Sequence, residues 1–347
     1  MMKHVVVCGP NDVRVVDTAK PEPGPHDVVI QVAACGVCGS DLHYIGIGGM
    51  PLFGAGAMPL GHEVSGVVHA VGERVPDVRV GQRVIVRTPA GPNNAIGSGG
   101  PGALAEYLLV RNVTQPAIDF DGRRFETYLY PLPDTWSFQQ GALVEPLAVG
   151  WHAADQSGAQ PGEKVVVLGA GPIGLAAIVA LRHRGVNDVI ALDLSPVRLA
   201  LAERVGASAA VNAAHQPWEA VRERYGQEMV HGRPALGADA YIDTTGSERV
   251  MRDILDQAKF RARVVVVAVY GNDVSLPFMH VMAKELVLKG SMSVGHDFAK
   301  VIDMLASGRV DVVPMITHEF DFAHVMDAFA AARQTDTTGK VMVNFLA

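Results

Sequence analysis

One glycine-rich turn constrains the fold of this chain more than any other feature. The sequence Gly-Ala-Gly-Pro-Ile-Gly at 169–174 follows an apolar run at 165–168 and precedes a stretch with helical spacing. A second apolar run ends at Asp193, nineteen residues after Gly174. Such glycine spacing arises by chance in a chain with 37 glycines. Its position between a strand and a helix, with an acid after the next strand, is nevertheless typical of a dinucleotide-binding unit.

Each residue of this turn has a physical role in the predicted site. Gly169 permits the tight turn, Gly171 lets a pyrophosphate approach the backbone, and Gly174 lets the helix pack closely on the strand. We assign Pro172 and Ile173 to the same site, because they open the helix and a helix N-terminus attracts phosphate. A purely structural turn is the alternative.

The acid at the end of the second strand favours NAD over NADP. A carboxylate at Asp193 accepts hydrogen bonds from the adenosine ribose and repels a 2′-phosphate. Asp193 could instead be a solvated acid. NADP remains an alternative cofactor, because the cation of Arg198, five residues later, can pair with a 2′-phosphate.

From about residue 152 the order of predicted elements indicates an α/β fold with a Rossmann doubly wound parallel sheet. Its strands are predicted at 165–168, 189–192, 209–211, 240–242, 263–268 and 286–291. The helices are predicted at 173–184, 196–205, 298–306 and 322–332, and a last strand at 341–346.

The first half of the chain has a different pattern of apolar residues. Valine-rich runs at 28–34, 64–71, 83–87 and 104–110 are separated by glycine and proline. This pattern predicts short strands that close into a small β-rich barrel.

Two stretches interrupt that pattern. Residues 91–102 contain five glycines, two prolines and no cysteine, which predicts a loop. Residues 115–128 predict an inserted hairpin with a type I′ turn at Asp121-Gly122, whose role the sequence does not reveal.

Composition excludes several classes of protein. Apolar residues make up 49% of the 347 residues, which predicts about two compact domains. A net charge of −7 argues against nucleic acid as a partner, and no apolar run approaches the roughly 20 residues that a membrane span needs. Three cysteines and no secretory signal pattern suit a reducing compartment, so we expect a cytoplasmic protein.

Potential metal ligands lie in three separate motifs upstream of the glycine-rich turn. The motifs are Gly-Val-Cys-Gly-Ser-Asp-Leu-His at 36–43, Gly-His-Glu at 61–63 and Gly-Ala-Leu-Val-Glu-Pro-Leu-Ala-Val-Gly at 141–150. They supply the thiolate of Cys38, the imidazole of His62 and the carboxylates of Glu63 and Glu145, which are donors that zinc takes. Each alone is more often structural. A thiolate and one carboxylate already neutralise a dication, so we expect the two glutamates to differ in role.

Cys35 and Cys38 also form a C-x-x-C motif, which leaves a redox or zinc-knuckle site open. A second C-x-x-C, which a four-cysteine zinc site needs, does not occur in the chain. We therefore expect Cys35 to be a buried neighbour of the site.

Together these motifs resemble the zinc-dependent medium-chain dehydrogenase family, nearest its sorbitol/polyol and secondary-alcohol branch. The specific part is Gly-His-Glu followed by Val-Ser-Gly-Val-Val-His-Ala-Val-Gly-Glu-Arg-Val, and the likeness covers nearly the whole chain. It implies a chaperonin-like catalytic domain at 1–151, an NAD-binding Rossmann domain at 152–288 and a C-terminal return to the catalytic domain at 289–347. We also expect a homodimer or homotetramer.

The resemblance implies one catalytic zinc ion per chain. Cys38, His62 and Glu63 would be direct ligands, Glu145 would bind directly or through water, and Asp41 would orient His62. Many relatives hold a second, structural zinc with four cysteines, and the cysteine-free loop 91–102 predicts that this site is absent.

The same resemblance assigns roles in proton transfer. Ser40 would take the alcohol proton, and His43 would pass it outward through the cofactor ribose. Ser40 could instead be a simple turn residue. Tyr44 would line the substrate site or serve only in packing, and Arg198 would stack on adenine.

We therefore expect reversible, NAD-linked and zinc-dependent oxidation of a secondary alcohol or polyol to a ketone. Polyol enzymes carry an Arg-Tyr pair where this chain has Ser293-Val294, which predicts weaker recognition of long polyols. The alternatives are a zinc-free quinone or enoyl reductase of the same superfamily and a non-catalytic NAD-binding protein.

Overall fold

A computed structural model describes residues 1–50, 57–88, 95–118, 124–125, 127–293 and 297–346. The chain forms two compact units. The first comprises Met1–Glu145, His318–Arg333 and Lys340–Ala347, and the second comprises Pro146–Thr317 and Gln334–Gly339.

The strands are numbered in chain order. They are β1 (Met2–Gly9), β2 (Asp12–Thr18), β3 (Val28–Val37), β4 (Met58–Pro59), β5 (Glu63–Val71), β6 (Arg83–Val86), β7 (Tyr107–Val110), β8 (Ala117–Ile118), β9 (Arg124–Phe125), β10 (Leu129–Pro131), β11 (Lys164–Leu168), β12 (Asp188–Asp193), β13 (Ala209–Asn212), β14 (Gln227–Val230), β15 (Arg233–Leu236), β16 (Ala240–Asp243), β17 (Arg263–Val266), β18 (Val287–Gly290), β19 (Ile316–Asp321) and β20 (Lys340–Asn344).

The helices are numbered in the same way. They are α1 (Gly39–Ile47), α2 (Phe138–Ala142), α3 (Val144–Ser157), α4 (Pro172–His183), α5 (Pro196–Arg204), α6 (Pro217–Tyr225), α7 (Glu248–Gln257), α8 (Phe278–Ala283), α9 (Phe298–Ala306) and α10 (Val325–Ala332), with short 3-10 helices at Val313–Met315 and Phe322–His324.

The first unit is β-rich, as predicted. β10, β6, β5, β3, β20 and β19 lie side by side in that order in one sheet, and β7 also pairs with β3. β3 is the central strand, because its first half pairs with β7 and its second half with β20. Valine, leucine and isoleucine side chains from these strands pack with α10 to form its core.

The second unit contains a six-stranded parallel sheet in the order β13-β12-β11-β16-β17-β18. This order reverses direction between β11 and β16, which is the arrangement of a Rossmann sheet, and the predicted fold is confirmed. In such sheets ligands bind beyond the carboxyl ends of the strands at this switch point. The glycine-rich turn follows β11 there.

The compact units differ from the predicted domain limits in three places. The N-terminal part of the first unit ends at Glu145, and residues 289–317 and 334–339 lie with the second unit. β18 continues the parallel sheet to Gly290, and Asp297 before α9 lies 3.4 Å from His152 of α3. Within 289–347, only residues 318–333 and 340–347 belong to the first unit.

The predicted insertion at 115–128 is described in part. β8 and β9 pair antiparallel, as a hairpin requires, whereas the predicted turn at Asp121-Gly122 lies outside the described residues. Of the predicted loop 91–102, residues 95–102 are described and contain neither helix nor strand. No helix in the described part of the chain has the length and apolar character needed to cross a membrane.

Candidate metal centre and dinucleotide site

The first potential ligand, Cys38, lies where β3 ends and α1 begins. It is the N-cap residue of α1, and Asp41 in the first helical turn accepts a hydrogen bond from its backbone N–H at 2.9 Å. The other oxygen of the Asp41 carboxylate accepts the Gly61 N–H at 3.1 Å. Asp41 therefore joins the segment that carries Cys38 to the segment that carries His62.

Cys38, His62 and Glu63 form a potential metal-binding group. One donor atom from each side chain lies within 4.8 Å of the others. The Nδ1 atom of His62 is buried without a hydrogen-bond partner among the described residues, so this ring is incompletely satisfied by protein alone. One sulfur, one nitrogen and one carboxylate oxygen suit zinc and leave a fourth position open, as catalytic zinc sites do. The residues present therefore fit the predicted zinc ion.

Asp41 does not hydrogen-bond to His62 in this structure. The distance from Asp41 Oδ1 to His62 Nδ1 is 3.8 Å, which is too long for a hydrogen bond. Its carboxylate is buried and is held by two backbone N–H groups instead. The contact places Asp41 behind the ligands, and its role in orienting His62 stays a prediction.

Charges around His62 act on its protonation. Burial alone would lower the pKa of His62, but the neighbouring Cys38, Asp41 and Glu145 outweigh burial and raise that pKa. Cys38, Asp41 and Glu145 thus place three acidic side chains around His62 in the first unit. A divalent cation bound there would favour their ionised forms.

Glu145 stands apart from the other three residues. It lies in the first turn of α3 and is not a member of the group whose donor atoms lie within 4.8 Å. Burial raises the pKa of Glu145 to about 7, and the charges of His62 and Glu63 act on it in opposite directions. Glu145 therefore belongs to the electrostatic surroundings of the centre, whether or not it is a ligand.

One residue of the centre was missed by sequence analysis. Lys340, the first residue of β20, is fully buried and forms an ion pair with Glu63. Its ammonium also donates to the carbonyl of Val37 at 2.7 Å. Gly36 leaves the necessary space, since a Cβ there would lie 2.8 Å from Lys340 Cε and closer still to Glu63.

The sequence did contain a signal for this pair. Lys340 opens the apolar run Val-Met-Val, and a lysine within a buried strand requires an acidic partner. Burial alone would lower the pKa of Lys340, but Glu63 and Cys38 outweigh burial and raise that pKa, so the ammonium stays charged.

The predicted relay residues share one helix. Ser40 and His43 are three residues apart on α1, which brings their side chains to the same face, and Tyr44 is four residues from Ser40. Ser40 and Tyr44 are half-buried, whereas His43 is exposed. A group that releases protons to solvent needs such exposure.

The glycine-rich turn has the geometry that its sequence predicts. Gly169 has φ +91°, and a Cβ there would lie 2.5 Å from the Thr244 hydroxyl oxygen. Gly174 has no space for a side chain, because a Cβ would overlap the Gly169 backbone. Gly171 is the N-cap of α4, and Pro172 occupies its first turn. Gly171, Pro172 and Ile173 are half-exposed, so a ligand can reach them.

Asp193 and Arg198 both lie next to this turn. The Asp193 carboxylate accepts the N–H of Ala170 at 2.7 Å and that of Ser195 at 2.8 Å. The Arg198 guanidinium lies 3.6 Å from where a Gly171 Cβ would be, and its Nε donates to the Thr338 carbonyl at 2.8 Å. The structure thus brings together every residue predicted to bind the dinucleotide.

Two protein families match the segments that carry most of these residues. The family described as alcohol dehydrogenase GroES-like domain matches residues 24–118. The family described as zinc-binding dehydrogenase matches residues 172–307. The first match includes Cys38, His62 and Glu63, and the second includes Gly174 and Asp193.

Alignments with similar proteins cover almost the full length of this chain. Sorbitol dehydrogenase of Homo sapiens is 33% identical over 340 residues, which cover 94% of this chain and 91% of that protein. A probable D-xylulose reductase A of Aspergillus clavatus is 34% identical over 334 residues, covering 93% and 91%. The crystal structure of 2R,3R-butanediol dehydrogenase from Bacillus subtilis matches with a TM-score of 0.84 and 28% identity, covering 100% of both chains.

Proposed function

The chain belongs to the zinc-dependent medium-chain dehydrogenase family, and we propose that it uses NAD and one zinc ion to oxidise a secondary alcohol or polyol to a ketone. The observation that carries this proposal is the convergence of Cys38, His62 and Glu63 in a chain that also has a complete dinucleotide turn. A zinc-free quinone or enoyl reductase would not require the ligands Cys38, His62 and Glu63. A purely structural or sensing protein would not require the proton relay proposed for Ser40 and His43.

The residues divide the reaction between them. Zinc, when bound, acts as a Lewis acid that makes the proton of an alcohol easier to remove. Cys38, His62 and Glu63 would hold it. Lys340 would position Glu63, and Asp41 would position Cys38 through its backbone N–H. Whether Glu145 also binds zinc is a separate point, and we infer that it acts in the surroundings of the ion because it lies outside the closest group.

Proton removal is assigned to α1. Ser40 would accept the hydroxyl proton of the substrate while it releases its own proton towards His43, and His43 would pass a proton to solvent. Their spacing of three residues on one helical face supports this assignment, and so does the exposure of His43. Tyr44, next to His43 and half-buried, would line the substrate site.

A panel of alcohols tests the function and its specificity. We expect NAD reduction at 340 nm with secondary alcohols, and short diols or cyclic alcohols should be used at least as well as sorbitol. Each polyol hydroxyl buried without a partner costs about 1–3 kcal/mol, and Ser293 supplies no charged donor. Val294, the second position of this argument, lies outside the described residues.

Two results would contradict these expectations separately. No turnover with any alcohol by the zinc-loaded protein would overturn the proposed function. A preference of more than about tenfold for sorbitol over every short diol and cyclic alcohol would overturn only the specificity argument. Other residues would then supply the missing hydrogen bonds.

Cofactor preference depends on Asp193. We expect a higher kcat/KM with NAD than with NADP, by roughly ten- to hundredfold, because one unfavourable charged contact costs on the order of 1–3 kcal/mol. Asp193→Ala should reduce this ratio. Asp188→Ala is the matched control, since Asp188 is at the opposite end of β12. Equal efficiency of the wild-type protein with both cofactors would show that Arg198 dominates.

The second unit also has a surface that suits a second copy of the chain. α8 exposes Phe278, Met279 and Met282, each by about two thirds of its surface. β18 is the last strand of the parallel sheet and pairs only with β17 among the described residues. Exposed apolar side chains and an open sheet edge each favour association, so we propose a homodimer or homotetramer. A monomer in light scattering at micromolar concentration would contradict it.

A cytoplasmic location is part of the same proposal. The three cysteines, Cys8, Cys35 and Cys38, are all free, which suits a reducing compartment. Oxidation of Cys38 would remove a metal ligand. Fractionation of cells that express the intact chain would test this location.

A further inference from the structure

The Glu63 carboxylate can interact with two cations, a metal ion and the ammonium of Lys340. It is a member of the metal-binding group, and the buried ammonium of Lys340 contacts the same carboxylate. Both cations would interact with the same carboxylate. A change in the position of Lys340 would therefore change how strongly Glu63 binds a metal. The position of Lys340 therefore matters for metal retention.

The residues just before Lys340 are fixed to a different part of the molecule. Segment 334–339 belongs to the second unit, and Lys340 belongs to the first. The Asp336 carbonyl accepts the Ser195 hydroxyl at 2.6 Å, and the Thr338 carbonyl accepts Arg198 Nε at 2.8 Å. A single residue, Gly339, thus lies between Thr338, which is bonded to α5, and Lys340 of the ion pair in the metal centre.

The same anchor adjoins the dinucleotide turn. Arg198 lies beside Gly171, and the negative charge of Asp193 acts on its guanidinium. A dinucleotide bound at Gly171 and Asp193 would bring phosphate and ribose groups next to this guanidinium, where they compete with the Thr338 carbonyl for its N–H groups. A bound dinucleotide would therefore weaken the hydrogen bond between Arg198 and Thr338 that holds segment 334–339 to α5.

We propose that segment 334–340 couples the dinucleotide site to the metal centre: cofactor binding draws Arg198 from Thr338, relaxes Lys340 and frees Glu63 to hold zinc. This coupling rests on the proposed function, because it requires both zinc and a dinucleotide. By linkage the coupling is reciprocal, so zinc must strengthen cofactor binding by the same factor by which cofactor strengthens zinc binding.

The decisive probe is ADP-ribose, which contains the adenosine and pyrophosphate but lacks the nicotinamide, so it cannot protect zinc by placing that ring over the metal. Zinc release from the zinc-loaded protein is timed in excess chelator with and without saturating ADP-ribose. We expect release to slow by at least about fivefold, the lower end of ordinary coupling between sites. Calorimetry should show that ADP-ribose binds more weakly to the zinc-free protein than to the zinc-loaded protein.

Two variants test whether the coupling depends on Arg198. Arg198→Met should release zinc as slowly without ADP-ribose as the wild-type protein does with it, and ADP-ribose should add little. Arg222→Met is the matched control, because Arg222 pairs with Glu219 on α6 and should leave the wild-type response intact. The calorimetric affinity of each variant sets the ADP-ribose concentration that saturates it.

The outcomes separate this coupling from the function on which it rests. Calorimetric binding of ADP-ribose without any change in zinc release overturns the coupling and leaves NAD-dependent alcohol oxidation untouched. Protection by NAD alone means direct covering of the metal and also overturns it. No ADP-ribose binding at millimolar concentration overturns the coupling together with the proposed dinucleotide site.

Discussion

Cys38→Ser is expected to lose zinc and alcohol oxidation together. A serine hydroxyl is a far weaker zinc ligand than a thiolate, and this chain has no second cysteine in the metal-binding group. Loss of a residue that only supports a ligand already costs about 10–100-fold in metal affinity or activity, so loss of a ligand should cost at least about 100-fold. Elemental analysis and NAD reduction at 340 nm measure the two effects.

The other two cysteines provide controls. Cys8→Ser changes an exposed residue and should keep both zinc and rate. Cys35→Ala tests the C-x-x-C alternative, since a zinc-knuckle or redox pair needs both sulfurs. The wild-type protein should contain one zinc ion per chain. Two tightly held ions, or full activity without any, would refute the predicted centre.

The fold was predictable because its signals are local. The Rossmann sheet shows as continuous apolar runs between a glycine-rich turn and helices, and β11 and β12 lie within one residue of their predicted ends. The path of the tail was less predictable. Residues 289–317 stay with the second unit because of contacts such as that between Asp297 and His152, which are about 145 residues apart in sequence.

The metal-binding group was predictable for a different reason. Residue type supplied Cys38, His62, Glu63 and Glu145 as possible donors, and the family resemblance of their short motifs implied that the first three are the direct ligands. Lys340 was not found, because its partner Glu63 is 277 residues away and neither residue reveals the pairing alone. A charged side chain in an apolar strand predicts that a partner exists, but the fold decides which one.

Asp41 shows a related limit. Sequence analysis placed it near His62, and the structure shows that its carboxylate is held by the backbone of Cys38 and Gly61. Capping of α1 explains this, because a carboxylate in the first helical turn can accept the N-cap N–H. Local helix chemistry thus determines what a residue beside the ligands contacts.

Ser40→Ala is expected to keep zinc and NAD binding while lowering kcat by roughly a hundred- to ten-thousandfold. Only removal of the alcohol proton is impaired, and the loss of a positioned acid or base costs about that much. Ser40 is on the same face of α1 as His43, so the pathway to solvent remains but its first acceptor is missing. Zinc content, calorimetric NAD affinity and kcat across pH are measured on the same preparation.

Ser40→Thr separates the hydroxyl group from the turn. Threonine keeps the hydroxyl, so a proton acceptor predicts that Ser40→Thr recovers much of the rate that Ser40→Ala loses. The loss in Ser40→Ala should also shrink as pH rises, because hydroxide in the solvent can then take the proton directly. A turn residue predicts the opposite pattern, in which both substitutions change the melting temperature and leave kcat unaltered at every pH. That result would remove Ser40 from the relay, and His43 would then have no proton to pass on.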